Sequence, residues 1–304
     1  MRKLDRTKVS APPSLSTPSV RVGNEKAAAV LYYGARNPWQ SSHKSYAFNE
    51  YRDVDVKGAL WKLAGGNCAY CENKIYGNGS REVEHYRPKG GIDGLSSHPG
   101  YWWLAHEWEN LLPTCRDCNK SLKQHIVTPI MTRAEVEDLL SVKAKTLYGK
   151  GTQFAIRGTR AVGNSCVLTA EDPLLIDPCM KDPALELSWD FSNELSLLKA
   201  RAGMHGISPY GDYTINTCAL NRAGLVLDRI SVLNVLRRHR ISITDRLNAW
   251  TGSATELQSI LKSVDELEVH AEAGQPFSGM ASAFIDDIEN ELEQWRIAKG
   301  LPPF

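Results

Sequence analysis

Apolar residues recur at helical spacing in three parts of the chain. Between residues 47 and 66 they return every three or four positions, and two glycines close the run. Residues 281–298 form a similar stretch, which ends at Gly300. The longest pattern covers residues 220–250, and its apolar stripe consists of Leu225, Ile230, Leu233 and Leu236. These patterns predict helices, two of them in the C-terminal part.

Polar residues mark further boundaries. Thr132 with Glu135, and Ser253 with Glu256, have the spacing of a helix N-cap and its capping box. Residues 146–216 are rich in glycine and proline with short apolar runs, which favours strands and loops. Residues 10–24 combine proline and serine with few apolar groups, and we expect a flexible arm there. The predicted fold class is α+β, with a mixed N-terminal half and a mainly helical C-terminal half.

Composition narrows the function classes. The chain has 304 residues, 42% of them apolar, and a net charge of +1, so no global field attracts nucleic acid. No stretch has the eighteen or so apolar residues that a membrane span needs. The N-terminus lacks the apolar core of a secretory signal, and we expect a cytoplasmic protein with no membrane association.

Four of the seven cysteines form two Cys-x-x-Cys pairs, Cys68 with Cys71 and Cys115 with Cys118. In a reducing compartment this spacing indicates metal binding, and the four thiolates together complete a tetrahedral zinc site. Such a site has no open coordination position, so its zinc is structural. The other three cysteines are isolated along the chain and are expected to be small buried side chains: Cys166, Cys179 and Cys218.

Four polar residues lie between or beside the cysteine pairs. Glu84 and His85 belong to the strand-like run REVEHY, Asn110 precedes the second pair, and Asn119 follows it in a segment, residues 115–126, that predicts a short helix. A zinc ion that joins the two pairs brings these residues towards one another. Because neighbouring residues of a strand point to opposite faces, Glu84 and His85 can share one site only where the strand ends or bends.

The order Cys-x-x-Cys, Glu-His, Asn-Leu, Cys-x-x-Cys-Asn resembles the HNH nucleases that carry zinc knuckles. The segments CAYCE, VEHYRPK, YWWLAHEWENLLPTCRDCN, EDPLLIDP and TINTCALNRAGL resemble, more narrowly, the HNH proteins of retron and Septu-type anti-phage systems. The resemblance implies a ββα-metal nuclease module with a structural zinc in residues 46–130. An N-terminal arm or linker (1–45) would precede it, and a mixed, then mainly helical, partner-binding region (131–304) would follow.

The resemblance also implies roles. His85 would be the general base of phosphodiester hydrolysis, Glu84 and Asn119 would be ligands of a catalytic Mg²⁺ or Mn²⁺, and Asn110 would orient the loop that bears the histidine. Asn119 departs from the family's name, since many HNH sites have histidine at this last position. Six cations are candidates for binding the phosphate backbone: Arg81, Arg87, Lys89, Arg116, Lys120 and Lys123.

The family implies partners as well. Nucleic acid would be the substrate, DNA more than RNA. An ATPase subunit of the ABC/SMC-like type would restrain or license the nuclease, and a retron reverse transcriptase with its RNA and DNA could belong to the same complex. The alternative function is a zinc-stapled, non-catalytic adaptor or nucleic-acid-binding subunit of such a complex.

Several residues have two interpretations. His106 and His125 are either extra metal ligands or packing residues. The run 237–240 is either a phosphate-binding patch or a solvated helix face. Three tryptophans either stack on bases or cover the core: Trp102, Trp103 and Trp108.

Overall fold

A computed structural model describes residues 1–15, 19–75, 82–204 and 206–303. Within them the helices are α1 (Val20–Gly34), α2 (Val54–Leu63), α3 (Arg116–Asn119), α4 (Arg133–Leu139), α5 (Pro209–Thr217), α6 (Ala223–Ala249), α7 (Ala254–Asp265) and α8 (Ser278–Ala298). The strands are β1 (Glu82–His85), β2 (Leu111–Thr114), β3 (Leu122–Lys123), β4 (Leu147–Tyr148), β5 (Leu187–Asp190), β6 (Leu197–Ala200), β7 (Ala202–Gly203) and β8 (Gly206–Ile207).

The strongest periodic patterns became helices. The apolar stripe of α6 is buried. Gly65 and Gly66 follow closely after the end of α2, and their positive φ angles of 60° and 80° suit glycine. The capping box at Thr132 is present. The Thr132 side chain accepts from the backbone N–H of Glu135, and the Glu135 carboxylate accepts from the backbone N–H of Thr132. Ser253 caps α7, because its side chain accepts from the backbone N–H of Glu256.

The N-terminal segment differs from the expected flexible arm. Ser19 caps α1 by accepting from the N–H of Val22, and Val22, Ala29 and Tyr33 are buried along one side of the helix. Their spacing of seven and four residues gives one apolar face, which proline and serine in the preceding residues concealed. Residues 20–24 are therefore helical, and the expectation of an arm is wrong there.

Two other local expectations need correction. The short helix expected over residues 115–126 covers only Arg116–Asn119, after which the chain enters strand β3. The Gly/Pro-rich region contains a helix, α5, because Pro209 occupies its first turn and Ser208 caps it.

The strands form antiparallel pairs rather than one sheet. β1 pairs with β2, so that Glu84 lies opposite Leu112 and His85 opposite Leu111. The other pairs are β3 with β4, β5 with β6, and β7 with β8. Helix α2 packs on β2, and α6 packs on α7, α8 and α4. One apolar core includes residues of the knuckles, of β2 and of α6 and α8, so the cysteine region and the C-terminal helices share their interior.

Among the described residues, no helix has both the length and the apolar character that crossing a bilayer requires.

Candidate functional site

The two cysteine pairs converge on one point. Their four Sγ atoms all lie within 4.8 Å of one another, and those of Cys71 and Cys115 are 3.7 Å apart. Four thiolates around a zinc ion at about 2.3 Å would have sulfur–sulfur distances of about 3.8 Å. The cluster therefore fits a zinc ion, as the spacing predicts.

The first cysteine pair, Cys68 and Cys71, is the first knuckle, and it is attached directly to the β1–β2 hairpin. The backbone N–H of Ala69 donates to the carbonyl of Pro113 in β2, and the N–H of Cys68 donates to the carbonyl of Asn73. The second knuckle follows β2 without a break and runs into α3. The cysteine cluster thus holds the start of α3 beside the β1–β2 hairpin.

Arg222, at the start of α6, completes the surroundings of the cysteines. Its guanidinium donates to the sulfur atoms of Cys118, Cys71 and Cys115 at 3.5, 3.6 and 3.7 Å, and the residue is buried. A zinc ion with four thiolates carries two negative charges, and a buried anion of this kind needs a cation nearby. The position of Arg222 is a second observation that fits a zinc-loaded cluster.

Glu84 and His85 stand at the end of β1, where strand alternation stops. Both face a cavity of about 580 Å³, which Asn119 of α3 also lines. The structure therefore brings together three of the four polar residues singled out between or beside the pairs. Both Glu84 and His85 are nearly enclosed, with 3% and 5% of their surface exposed.

The surroundings of His85 determine its protonation. Nε2 lies 2.9 Å from the backbone carbonyl oxygen of Ala105. The Tyr51 ring packs edge-on against the imidazole, with 4.5 Å between the two ring centroids. A carbonyl oxygen only accepts, so Nε2 carries the hydrogen and Nδ1 holds the lone pair of the neutral ring. Burial lowers the pKa of His85 well below its usual value, and the charge of Lys89 acts in the same direction.

Glu84 has a buried partner that the sequence did not reveal. Nζ of Lys150 lies 2.5 Å from its Oε1, in an ion pair that is almost fully enclosed by protein. Burial raises the pKa of Glu84, and the Lys150 ammonium opposes that shift. Lys150 sits between two glycines in YGKG, a turn signal that carries no information about its distant partner.

Asn119 is oriented by a second carboxylate. Its Nδ2 donates to Oε2 of Glu82 at 2.8 Å, and Lys120 forms an ion pair with Oε1 of Glu82 at 2.7 Å. Because a carboxylate only accepts, the amide nitrogen faces Glu82 and the amide oxygen remains for another ligand. Alternation along the run EVEH could have identified Glu82, since it lies two residues before Glu84 on the same face.

Asn110 makes backbone contacts only. Its Oδ1 accepts from the N–H of Arg87, and its Nδ2 donates to the carbonyls of Arg87 and Leu104. It thereby joins the segment after β1 to the turn before β2. The residue does not line the cavity.

The candidate phosphate-binding cations divide into groups. Lys89 and Lys120 line the cavity, whereas Arg87 is engaged by Glu171 at 2.7 Å and by the carbonyl of Leu168. Arg116 and Lys123 are exposed outside the cavity, and Arg81 lies outside the described residues. Two cations that the sequence did not single out also line it: Arg52 and Lys57.

The residues with two interpretations have packing contacts. His106 contacts the Glu25 carboxylate at 2.6 Å, and His125 contacts the carbonyl of Val142. Trp102 stacks on Tyr33 and packs, like Trp103 and Trp108, against the core.

On α6, Arg237 donates to the carbonyls of Phe191 and Glu194, and Arg240 pairs with Glu291. Among the isolated cysteines, Cys218 is buried, whereas two are half-buried: Cys166 and Cys179.

Comparison with known proteins gives two relatives. The chain is 29% identical to the Septu protein PtuB of Bacillus mycoides (strain KBAB4) over 253 residues, which cover 81% of this chain and 72% of that protein. It is 31% identical to the Septu protein PtuB of Bacillus thuringiensis over 107 residues, which cover 32% of this chain and 38% of that protein. No family model matches the chain, and no solved structure matches it. The resemblance to Septu-type proteins that the sequence motifs indicate is confirmed by this similarity, which extends along most of the chain.

Proposed function

We propose that this protein is the metal-dependent HNH endonuclease subunit of a bacterial anti-phage defence complex. The observation that carries the proposal is the cavity shared by Glu84, His85 and Asn119, formed where a β-hairpin and a short helix meet beside four clustered cysteines. A hairpin followed by such a helix is consistent with a ββα-metal module. Similarity to the two Septu proteins supports the defence role.

His85 is suited to act as the general base. Its Nε2–H is held by the Ala105 carbonyl, which leaves Nδ1 to accept a proton from the attacking water. Burial keeps the imidazole neutral at physiological pH. Asn110 supports this geometry by holding the backbone that follows His85.

Glu84 and Asn119 would hold the catalytic cation. A carboxylate and an amide oxygen that line one cavity are the hard oxygen donors that Mg²⁺ and Mn²⁺ prefer, so the donor set fits. When bound, this cation supplies charge neutralisation at the scissile phosphate. Glu82 positions Asn119 by accepting from its amide nitrogen.

The substrate is proposed to be DNA, held through its phosphates by the cations at the mouth of the cavity. Lys89 and Lys120 belong to this set, together with Arg52 and Lys57. Because the net charge of the chain is only +1, these local cations would need help in recruiting nucleic acid. RNA cleavage in place of DNA cleavage would reassign the substrate and leave the site unchanged.

An ABC/SMC-like ATPase is proposed as the partner that delivers substrate and licenses cleavage. Both relatives are Septu proteins, and a retron reverse transcriptase remains a prediction from the family resemblance alone. Rapid cleavage by the isolated protein, unchanged by the ATPase, would contradict the licensing role.

The decisive test is His85→Ala, with cleavage of plasmid DNA measured in Mg²⁺ or Mn²⁺ in the presence of the ATPase. We expect a loss of at least about a hundredfold, because general bases contribute rate factors of this size or more. His239→Ala, on the exposed side of α6, is the matched control and should cleave normally. Zinc content should be equal in all three proteins. Equal activity of His85→Ala and the wild type would favour the non-catalytic adaptor.

A further inference from the structure

Lys150 is an unusual residue in this fold. Its side chain is only 1% exposed, and lysine is almost never buried to this extent unless its charge is paired. Its Nζ contacts Oε1 of Glu84 at 2.5 Å and donates to the backbone carbonyl of His85 at 3.0 Å. One ammonium group thus contacts both members of the acid–histidine pair, from a position 65 residues further along the chain.

The backbone around Lys150 is attached to the other side of the site. The N–H of Lys150 donates to the carbonyl of Cys118 at 2.9 Å, and the N–H of Gly151 donates to the carbonyl of Asn119 at 2.6 Å. These carbonyls belong to α3, which bears the proposed ligand Asn119. Lys150 therefore joins α3, through its backbone, to the end of β1, through its side chain.

The Lys150 ammonium contacts Glu84 but is not part of the cavity lining. Glu84 and His85 line the cavity, whereas Lys150 does not. The carboxylate oxygen of Glu84 that lies nearest to this ammonium is Oε1, at 2.5 Å. A group placed in this way supports the carboxylate without occupying the space in which a cation would bind.

We propose that Lys150 is a positioning residue of the nuclease site, which orients the Glu84 carboxylate and the end of β1 and thereby sets the affinity of the site for a divalent cation. This inference rests on the proposed function, because the cation belongs to that function. Residues that orient metal ligands typically change metal affinity or activity by ten- to a hundredfold when they are replaced.

The test is Mn²⁺ binding to the full-length, zinc-loaded protein, measured by electron paramagnetic resonance of free Mn²⁺. We expect Lys150→Met to weaken Mn²⁺ binding by about tenfold, with zinc content unchanged. Lys145→Met removes an exposed lysine five residues earlier and should bind Mn²⁺ like the wild type. The Mn²⁺ concentration for half-maximal cleavage should rise by the same factor as the dissociation constant, and high Mn²⁺ should restore most of the rate.

The outcomes separate this inference from the proposed function. If Glu84→Gln abolishes Mn²⁺ binding while Lys150→Met leaves it unchanged, the nuclease proposal stands and the role of Lys150 is refuted. Tighter Mn²⁺ binding by Lys150→Met would mean that the ammonium competes with the cation, and would also refute positioning. If the wild type binds no Mn²⁺, both proposals fail.

Loss of a buried cation can also unfold a protein. If Lys150→Met loses its zinc, Lys150→Gln is measured instead, because its shorter, neutral amide keeps a polar group in the buried position and removes the ammonium that contacts Glu84. Weaker Mn²⁺ binding with normal zinc content then supports positioning. An unchanged Mn²⁺ affinity with a lowered melting temperature means that Lys150 acts on stability alone.

Discussion

His85 owes its chemical character to its surroundings. An exposed histidine would be partly protonated near pH 6.5, but this ring is enclosed by protein and faces the charge of Lys89. Tyr51 contacts the imidazole and is itself flanked by Lys89 and Arg52, whose charged groups lie 4.8 and 5.1 Å from the phenol ring. The imidazolium is therefore disfavoured at this position.

The pH dependence of cleavage follows from this environment. The neutral base is lost only when the pH falls through the pKa of His85, and that pKa is lowered, so the acid limb of kcat/KM should lie below pH 6.5. Lys89→Met removes a like charge and should move the limb to higher pH. Zinc content has to be checked at each pH, because thiolates also bind protons. A limb at or above pH 6.5 in the wild type would contradict this prediction.

At the scale of elements, the site is assembled from three short pieces. Strand β1 supplies Glu84 and His85, helix α3 supplies Asn119, and the turn at residues 149–151 joins them through Lys150. The turn depends on Gly149, whose φ of 115° is a conformation that other residues rarely adopt. A Cβ at this position would lie 1.9 Å from the carbonyl oxygen of Lys120.

Gly149→Ala should therefore destabilise the protein and disturb the site. Backbone strain alone costs about 1–3 kcal/mol, and the clash adds to it, so we expect a loss of about 3 kcal/mol in the free energy of unfolding. Urea denaturation in the presence of zinc is the measurement. Gly163→Ala is the control, since no atom lies within 4 Å of its added Cβ. Equal midpoints for the two variants would show that the turn tolerates a side chain.

Some helices and strands could be predicted from the sequence, and others could not. Helices α2, α6 and α8 followed from their apolar spacing, and β1 from its strand-like composition. Helix α1 was missed because its apolar face is sparse, and α5 because proline at a helix start resembles proline in a loop. Both also pack on distant parts of the chain, α1 on residues 50–52 and 102–104 and α5 on β6, and such contacts are absent from a local window of sequence.

At the scale of the whole molecule, the cysteine cluster joins the two halves of the chain. Arg222 immediately precedes α6, the longest helix, and its guanidinium contacts three of the four sulfur atoms. The adjacent backbone is also engaged, because the N–H of Ala223 donates to the carbonyl of His125. The C-terminal helices therefore begin at the cluster that supports the proposed nuclease site.

Replacing Arg222 should consequently weaken both zinc binding and the attachment of α6. For Arg222→Met we expect zinc affinity to fall by about tenfold in competition with a chelator, because the buried thiolates lose their counter-charge. Amide hydrogen exchange in residues 223–249 should rise in this variant and after zinc removal. Arg238→Met, an exposed arginine of the same helix, is the control. Unchanged zinc affinity and exchange would mean that the cluster and α6 are energetically independent.

Sequence alone determined the parts of this protein that depend on short-range spacing. These are the two cysteine pairs, the order of Glu84, His85, Asn110 and Asn119 around them, and the strongly periodic helices. Each is encoded within a few residues, because helices, knuckles and caps close their contacts locally.

Only the tertiary structure decided which side chains join the site from elsewhere. Lys150 reaches Glu84 across 66 positions of the chain, Tyr51 packs on His85, and Arg87 is withdrawn into an ion pair with Glu171. Such contacts depend on how distant segments pack together, which no local pattern records.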